Sequence, residues 1–304
     1  MRLTFLLCLL SFVGLAQSFD STIKSKKTFN TLAYVNVSIL NKRVGTSTNL
    51  EGKFSMQLEK FKSDTLLISY LGFKTKKIAI SSVLKNPAAY KVIYLEDELS
   101  SLDDVIIQIK KKKYGSKHSL GLRKKWFYSR IGVQFGMEQA ILIPNDKSKV
   151  GKIEEVSFWV GKEEQLFYNS RLTWFRIKFY SYDEEKNEPK ELLSYEDIIL
   201  QPKENEKQEL KVDVSKYHIP FPKDGVCVVI ETVNPKPSKE SDSQYITYPQ
   251  LIYSRETINR SWKRYRGNNW FQQSEEHRST SAIMGFEKKY YIAPALKIKV
   301  RYEK

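Results

Sequence analysis

Residues able to do chemistry are few in this 304-residue chain, which has three histidines and two cysteines. A catalytic zinc site needs three protein ligands at suitable spacing and an open position for water. His118 and His218 have no second ligand close by in the sequence, and His277 follows only the pair Glu275-Glu276. The spacing therefore predicts no metal site, and no glycine-rich phosphate loop or other motif indicates a cofactor.

The sequence contains no motif typical of a catalytic nucleophile or of a catalytic pair of acids. The chain has no Gly-x-Ser-x-Gly elbow. Cys227 lies in the apolar run 226–230, where a thiol packs as a small hydrophobe and is unreactive. Carboxylate pairs such as Glu154-Glu155 are adjacent in sequence, and neighbours on a strand point to opposite faces rather than across a cleft. These observations predict a protein that is not an enzyme.

The first residues have the form of an export signal. A basic start at Arg2 precedes the apolar run 3–15, and Gly14-Leu15-Ala16 supplies small residues for cleavage after Ala16. The run is too short to span a bilayer comfortably. We therefore expect a signal peptide over residues 1–16, export to the periplasm or the outer-membrane surface, and Cys227 as the single cysteine of the mature chain.

Composition describes a folded, basic protein. Hydrophobic residues make up 41% and aromatic residues 13%, while 51 Lys and Arg against 35 Asp and Glu give a net charge of +16. This apolar content is sufficient for a packed core. Because the leader predicts export, the charge does not indicate nucleic acid as a partner. An envelope protein, an anionic glycan or peripheral contact with a membrane fits better.

Alternation of apolar and polar residues is the dominant pattern after the leader, and it predicts an all-β fold. Between 25 and 99, Val35, Val37 and Ile39 share one face of a strand, further strands follow with the same period, and 49–52 reads as a turn. Helical periodicity is not evident over any long segment. This region predicts a small β-sandwich of the antiparallel type.

A second, larger sandwich is expected over 123–304, jelly-roll-like in the arrangement of its strands. Residues 100–122, with four lysines at 110–113, read as a linker, so the first sandwich is expected to fold independently and limited proteolysis is expected to cut near 110–113. The segment 186–190 reads as a charged loop. The candidate strands of the second sandwich are 126–131, 138–143, 153–160, 172–182, 198–200, 208–214, 226–232, 250–255, 282–286 and 295–301.

Three ordered motifs in the first sandwich carry a family resemblance. They are Ala33-Tyr34-Val35-Asn36-Val37, then 46–54 with the sequence TSTNLEGKF, then 66–73 with the sequence LLISYLGF. Residues 33–95 resemble the carboxypeptidase-regulatory-like domain of Gram-negative envelope proteins. The segment 102–107 is similar to the stretch that precedes the plug of TonB-dependent nutrient receptors. The resemblance implies a seven-stranded Ig- or prealbumin-like sandwich without catalytic activity.

One surface stretch, 259–271, combines aromatic and cationic side chains and is the candidate binding site. Trp262, Arg264 and Arg266 would share one face of a strand, with Trp270 close by, and could stack on sugar rings or pair with anionic groups. The alternative interpretation, which we favour, is a hairpin whose turn is Gly267-Asn268-Asn269 and whose tryptophans pack on the sandwich.

The sequence thus predicts an exported, non-catalytic cell-envelope protein with an accessory or binding role towards a protein or glycan. Two alternatives remain open. One is a hydrolase with an unrecognised site in the second domain, and the other is a small outer-membrane β-barrel formed by 125–304. The apolar run 226–230 argues against the barrel because it provides no polar lumen face.

Overall fold

The computed structural model describes residues 18–98, 112–123, 128–161, 170–203, 208–237, 246–272 and 291–304. The predicted signal peptide, His277, most of the predicted linker and the candidate strand 282–286 lie outside these ranges. The described chain is almost entirely β-structure, arranged as two sandwiches. The all-β prediction is confirmed.

Seven strands form the first sandwich, here called the N-sandwich. A three-stranded sheet has the order β4-β1-β7 and a four-stranded sheet has the order β3-β2-β5-β6. Val37, Ile68 and Ile23 are fully buried between them, because alternate residues of each strand point inward. The seven strands are β1 (Phe19–Ser25), β2 (Asn36–Ile39), β3 (Gly45–Ser47), β4 (Lys53–Met56), β5 (Thr65–Ser69), β6 (Lys76–Ala79) and β7 (Val92–Leu95).

Two local features of the N-sandwich differ from the sequence prediction. β1 begins at Phe19, upstream of the boundary at 25, and its inward positions include Ser21 and Ser25, which weaken the apolar pattern. Ile80, which alternates with Ile78 as on a strand, instead begins the short helix α1 (Ile80–Lys85), where Ile80 and Val83 are buried at helical spacing. The predicted turn at 49–52 is confirmed, with the Gly52 amide donating to the Asn49 carbonyl at 3.0 Å.

The larger sandwich, here called the C-sandwich, packs a seven-stranded sheet on an eight-stranded sheet. The first has the order β14-β13-β18-β10-β21-β22, with β15 also paired to β13. The second has the order β23-β20-β11-β24-β8, with β16 and β17 paired to β11 and β9 paired to β20. A short pair, β12 with β19, completes it.

The strands of the C-sandwich are β8 (Tyr114–Gly121), β9 (Tyr128–Ile131), β10 (Met137–Ile143), β11 (Gly151–Gly161), β12 (Ser170–Leu172), β13 (Trp174–Asp183), β14 (Glu188–Leu192), β15 (Ile198–Leu200), β16 (Glu209–Asp213), β17 (Pro220–Phe221), β18 (Val226–Val233), β19 (Ile246–Tyr248), β20 (Gln250–Glu256), β21 (Ser261–Tyr265), β22 (Phe271–Gln272), β23 (Tyr291–Pro294) and β24 (Leu296–Glu303).

The core of the C-sandwich is built from the inward-facing residues of its strands, which alternate with outward-facing ones. In β24, Leu296, Ile298 and Val300 are buried while the lysines between them are half-buried on the outer face. In β18 every residue is buried, because this strand lies between β13 and β10 and both of its faces are covered. The prediction that this apolar run lies inside a packed core is confirmed.

Nine of the ten candidate strands coincide with β9, β10, β11, β13, β15, β16, β18, β20 and β24. Two further segments form strands that the sequence did not predict. Residues 188–192 form β14 rather than a loop, because their backbone pairs with β13 while charged side chains remain at the sheet edge. Residues 114–121, which the sequence assigns to the linker, form β8 and pair with β24.

No helix in the described ranges is both long enough and apolar enough to cross a bilayer.

Candidate functional site at the junction of the sandwiches

In the four-stranded sheet of the N-sandwich, β2, β3 and the middle of β5 are buried on both faces. One face is the apolar core described above. The other carries Asn36, Ser38 and Leu67, all almost fully buried. Cross-strand partners share a face, and Ser38 pairs with Leu67 while Asn36 pairs with Ser69, so these residues form one continuous surface. This surface, here called the docking face, is covered by the C-sandwich.

The opposing surface is one end of the seven-stranded sheet, on the side away from the C-sandwich core. Register places Arg176 of β13 opposite Glu231 of β18, Glu231 opposite Glu138 of β10, and Glu138 opposite Arg264 of β21. Lys178 lies on the same face of β13, two residues beyond Arg176. A row of charged side chains, with two acids between two arginines, therefore crosses four strands where the N-sandwich docks.

Arg176 bridges the two sandwiches. Its side chain is only 2% exposed. Its Nε donates to Oδ1 of Asp197 at 2.6 Å, and its Nη1 donates to Oε2 of Glu231 at 3.2 Å. Both Nη atoms also donate to the backbone carbonyl of Tyr34 in the N-sandwich, each at 3.2 Å. The guanidinium thus satisfies acceptors on both sides of the junction, as its fixed fork of donors permits.

The neighbouring acids share their cations. Lys178 Nζ lies 2.8 Å from Glu231 and 2.9 Å from Glu138, and Arg264 Nη2 lies 2.7 Å from Glu138. Burial alone would raise the pKa of the Glu231 carboxyl, but Lys178 and Arg176 outweigh burial and hold that pKa well below its ordinary range. The pKa of Glu138 is likewise lowered, with Arg264 and Lys178 outweighing the effect of burial. Both acids are therefore ionised at neutral pH.

Asn36 joins this network to the hairpin of β21 and β22. Its Nδ2 donates to Glu231 at 2.6 Å, and its Oδ1 accepts from Nη1 of Arg266 at 2.8 Å. The carbonyl of Arg266 in turn accepts from the hydroxyls of Ser38 and Ser69 at 3.4 and 3.3 Å. The hairpin turn thus inserts its backbone against the docking face.

Two glycines allow this close approach. A Cβ at Gly267 would lie 2.2 Å from Oγ of Ser69, and a Cβ at Gly45 would lie 2.5 Å from the Val37 carbonyl and 2.9 Å from Cδ of Arg266. Real Cβ atoms essentially never lie this close to another heavy atom. The fit between hairpin and docking face therefore needs both glycines.

The hairpin interpretation of residues 259–271 is confirmed, because β21 pairs with β22. Two of the residues expected to face solvent, Trp262 and Arg266, are buried instead. Trp262 is 2% exposed and its indole nitrogen donates to the Asn187 carbonyl at 2.8 Å. Arg266 is 1% exposed, since its backbone leaves the strand alternation at a φ of 45° and turns the side chain into the junction.

Arg264 and Trp270 do lie together. The guanidinium carbon of Arg264 is 4.1 Å from the Trp270 ring centroid and 5.3 Å from that of Tyr180. The Arg264 side chain is 15% exposed and lies at the edge of the charged row. Of the four predicted binding residues, Arg264 and Trp270 are placed where a ligand can reach part of the group.

An open cleft of about 830 Å³ runs beside the charged row, between the two sandwiches. Its N-sandwich wall includes Tyr70 and Phe73, and its C-sandwich wall includes Lys190, Tyr195 and Arg264. We call it the junction cleft. The Tyr70 hydroxyl donates to Asp197 at 3.1 Å, which ties this wall to the Arg176 pair.

The described residues show no arrangement typical of catalysis. Among them, no three His, Cys, Asp or Glu side chains are grouped to hold a metal ion. Cys227 is fully buried in β18, as the sequence predicted, and this burial raises the pKa of its thiol to about 12. His118 lies beside Tyr302, with ring centroids 5.5 Å apart and ring planes tilted by 57°. The junction can hold charges and bind polar groups.

Sequence reasoning did not find the charged row. Arg176 and Lys178 alternate with apolar residues in β13, which is also the pattern of an ordinary strand with one solvated face. The available signal was Glu231, an acid inside the otherwise apolar strand β18. A charge at such a position is expected to have a buried partner.

Comparison with known protein families matches residues 21–107 to the CarboxypepD_reg-like domain. No curated protein and no solved structure matches the chain. The match extends over β1 to β7 and agrees with the seven-stranded sandwich seen in the structure. Residues 21–107 are therefore a carboxypeptidase-regulatory-like domain, a non-catalytic Ig-like module, as the three sequence motifs predicted.

Proposed function

We propose that this chain is an exported, non-catalytic protein of the Gram-negative cell envelope that binds a protein or glycan partner. The leader-like residues 1–16 support export to the periplasm or the outer-membrane surface. The regulatory-like domain supports an accessory role, because modules of this type carry no catalytic machinery of their own. Association with the membrane, on this proposal, is peripheral.

One observation carries the binding role. The two sandwiches meet through a buried polar junction and leave the junction cleft open beside it. Ligand sites occur preferentially in clefts between domains, and typical sites have volumes of about 300–1,000 Å³. The regulatory-like domain thus acts as one wall of a composite site and holds the other wall in place.

Export is tested by expressing the full chain in a Gram-negative host and fractionating the cells. We expect the protein in the periplasmic or outer-membrane fraction, with Gln17 as its first residue. A variant lacking residues 2–16 should stay in the cytoplasm. A protein that keeps Met1, or that is cytoplasmic in both forms, contradicts export.

Binding is tested with a photo-crosslinking amino acid in place of Tyr195, which lines the cleft, or of Tyr94, an exposed tyrosine on β7. We expect an envelope component to be captured from position 195 and not from position 94. Equal capture from both positions contradicts a site at the junction. Turnover in a panel of peptide and glycan hydrolysis assays would contradict the non-catalytic role.

A further inference from the structure

The junction cleft presents aromatic rings from both sandwiches. Tyr70 and Phe73 extend from the segment after β5, with ring centroids 5.6 Å apart, and Tyr195 extends from the segment after β14. The Tyr195 residue is 40% exposed. A partly exposed ring offers an apolar face together with a polar hydroxyl, so it can pack on a flat, partly apolar group while forming hydrogen bonds at its edge.

The same cleft presents hydrogen-bond donors and acceptors of opposite charge. Lys190 and Arg264 provide donors, and Glu98 and Glu191 provide acceptors. In Arg264, Glu138 and the Tyr180 hydroxyl both bind the same atom, Nη2, each at 2.7 Å. Among the described residues, no hydrogen bond reaches its Nη1, so that atom remains available at the cleft wall.

This combination selects a class of ligand. Arg176 and Lys178 also line the cleft, but both are paired with the buried Glu231. A simple anion would meet the two glutamates as well as Lys190 and Arg264, and an apolar ligand would cover these polar groups without offering them hydrogen bonds. A sugar hydroxyl is both donor and acceptor, so it can satisfy groups of either charge through strong, charge-assisted hydrogen bonds. The ring of a sugar is also flat enough to pack on an aromatic face.

We propose that the junction cleft binds an oligosaccharide, with Tyr195 as a stacking platform and Arg264, Lys190 and Glu191 as partners of its hydroxyl groups. This assignment rests on the proposed binding function and specifies its ligand. Because both sandwiches supply walls, the site exists only when the regulatory-like domain is docked.

The test uses the full mature chain and three probes: dextran oligosaccharides, alginate oligosaccharides and the deacylated core oligosaccharide of lipopolysaccharide. Binding is measured by calorimetry and by tryptophan fluorescence, since Trp270 stacks on Arg264 and should respond to a ligand at that residue. We expect at least one probe to bind and to change the emission. The Tyr195→Ala variant should bind that probe about tenfold more weakly, as expected for a lost aromatic contact.

Matched variants keep the proposal falsifiable. Tyr94→Ala removes a ring of similar exposure on the edge strand β7 and should leave affinity unchanged. Glu191→Gln, on an exposed side chain, should weaken binding without changing the melting temperature, and it serves as the test if Tyr195→Ala fails to fold.

The proposal is overturned if none of the three probes binds, if Tyr195→Ala and Tyr94→Ala bind alike, or if an extended peptide competes for the cleft and the sugars do not. Any of these results leaves the export and cross-linking experiments unaffected. The experiments can therefore show that the ligand is not an oligosaccharide without contradicting the proposed export and binding function.

Discussion

The side-chain amide of Asn36 donates to the carboxylate of Glu231 across the junction of the sandwiches, with Nδ2 and Oε1 2.6 Å apart. These residues are 195 positions apart in the chain, and both are almost fully buried. The regulatory-like domain is therefore attached to the C-sandwich by specific polar contacts as well as by covalent connection.

Replacing Asn36 with alanine should destabilise the whole chain. It leaves an oxygen of Glu231 and a nitrogen of Arg266 each without one partner, and a buried polar group left unsatisfied costs about 1–3 kcal/mol. Chemical denaturation measures the loss, with the exposed Asn30→Ala as the control. Equal stabilities of the two variants would show that the junction contributes nothing.

Acid should weaken the junction through Glu231 and Glu138. Both carboxyls have pKa values lowered below 4.5 in the folded chain. They therefore contribute fully to the free energy of unfolding above about pH 4.5, and this contribution is lost as the pH falls through the folded-state pKa. The Glu231→Gln variant should lose about 3–5 kcal/mol at pH 7, because two buried cations lose a partner, and its stability should fall less steeply below pH 4.5.

Melting temperatures between pH 7 and pH 3 measure this dependence. The control is Glu96→Gln, which removes an exposed ion pair with Lys26 and should change stability very little. If the melting temperature of the Glu231→Gln variant falls with pH as steeply as that of the wild type, Glu231 is not the source of the acid sensitivity.

Gly52→Val should destabilise the N-sandwich more than Gly72→Val, and both more than the exposed change Lys62→Ala. Both glycines have positive φ, 72° and 76°, which β-branched residues tolerate poorly. At Gly52 an added Cβ would also lie 2.9 Å from the Ile23 carbonyl, whereas at Gly72 the nearest atom is 3.6 Å away. Thermal shifts measure the order, and equal shifts for all three variants would contradict it.

Trypsin should cut at the lysines 110–113 without separating the two sandwiches. The contacts of Arg176 with Tyr34 and of Asn36 with Glu231 do not depend on an intact connection. The two fragments should elute together in size-exclusion chromatography and separate in denaturant. In the Arg176→Ala variant they should separate without denaturant. Separate elution of the wild-type fragments would contradict a stable junction.

The sequence predicted elements whose pattern is local. The alternation of β24, the apolar strand β18 and the turn at Gly52 are each specified by a few neighbouring residues, and each is confirmed. The candidate site was predicted only in part, since Arg264 and Trp270 meet whereas Trp262 and Arg266 are buried. A polar strand face has the same pattern whether it contacts water or another domain, so the docking face could not be recognised from the sequence.

The glycines at 45 and 267 have a consequence for exchanging the regulatory-like domain. Domains of one family are often treated as interchangeable modules. Here the hairpin turn fits only a sheet that offers a glycine at position 45, hydroxyls at 38 and 69 and an amide at 36. A chimera carrying another family member must also carry the same residues at these four positions. Substitutions at the docking face and in the hairpin turn of this chain are therefore coupled.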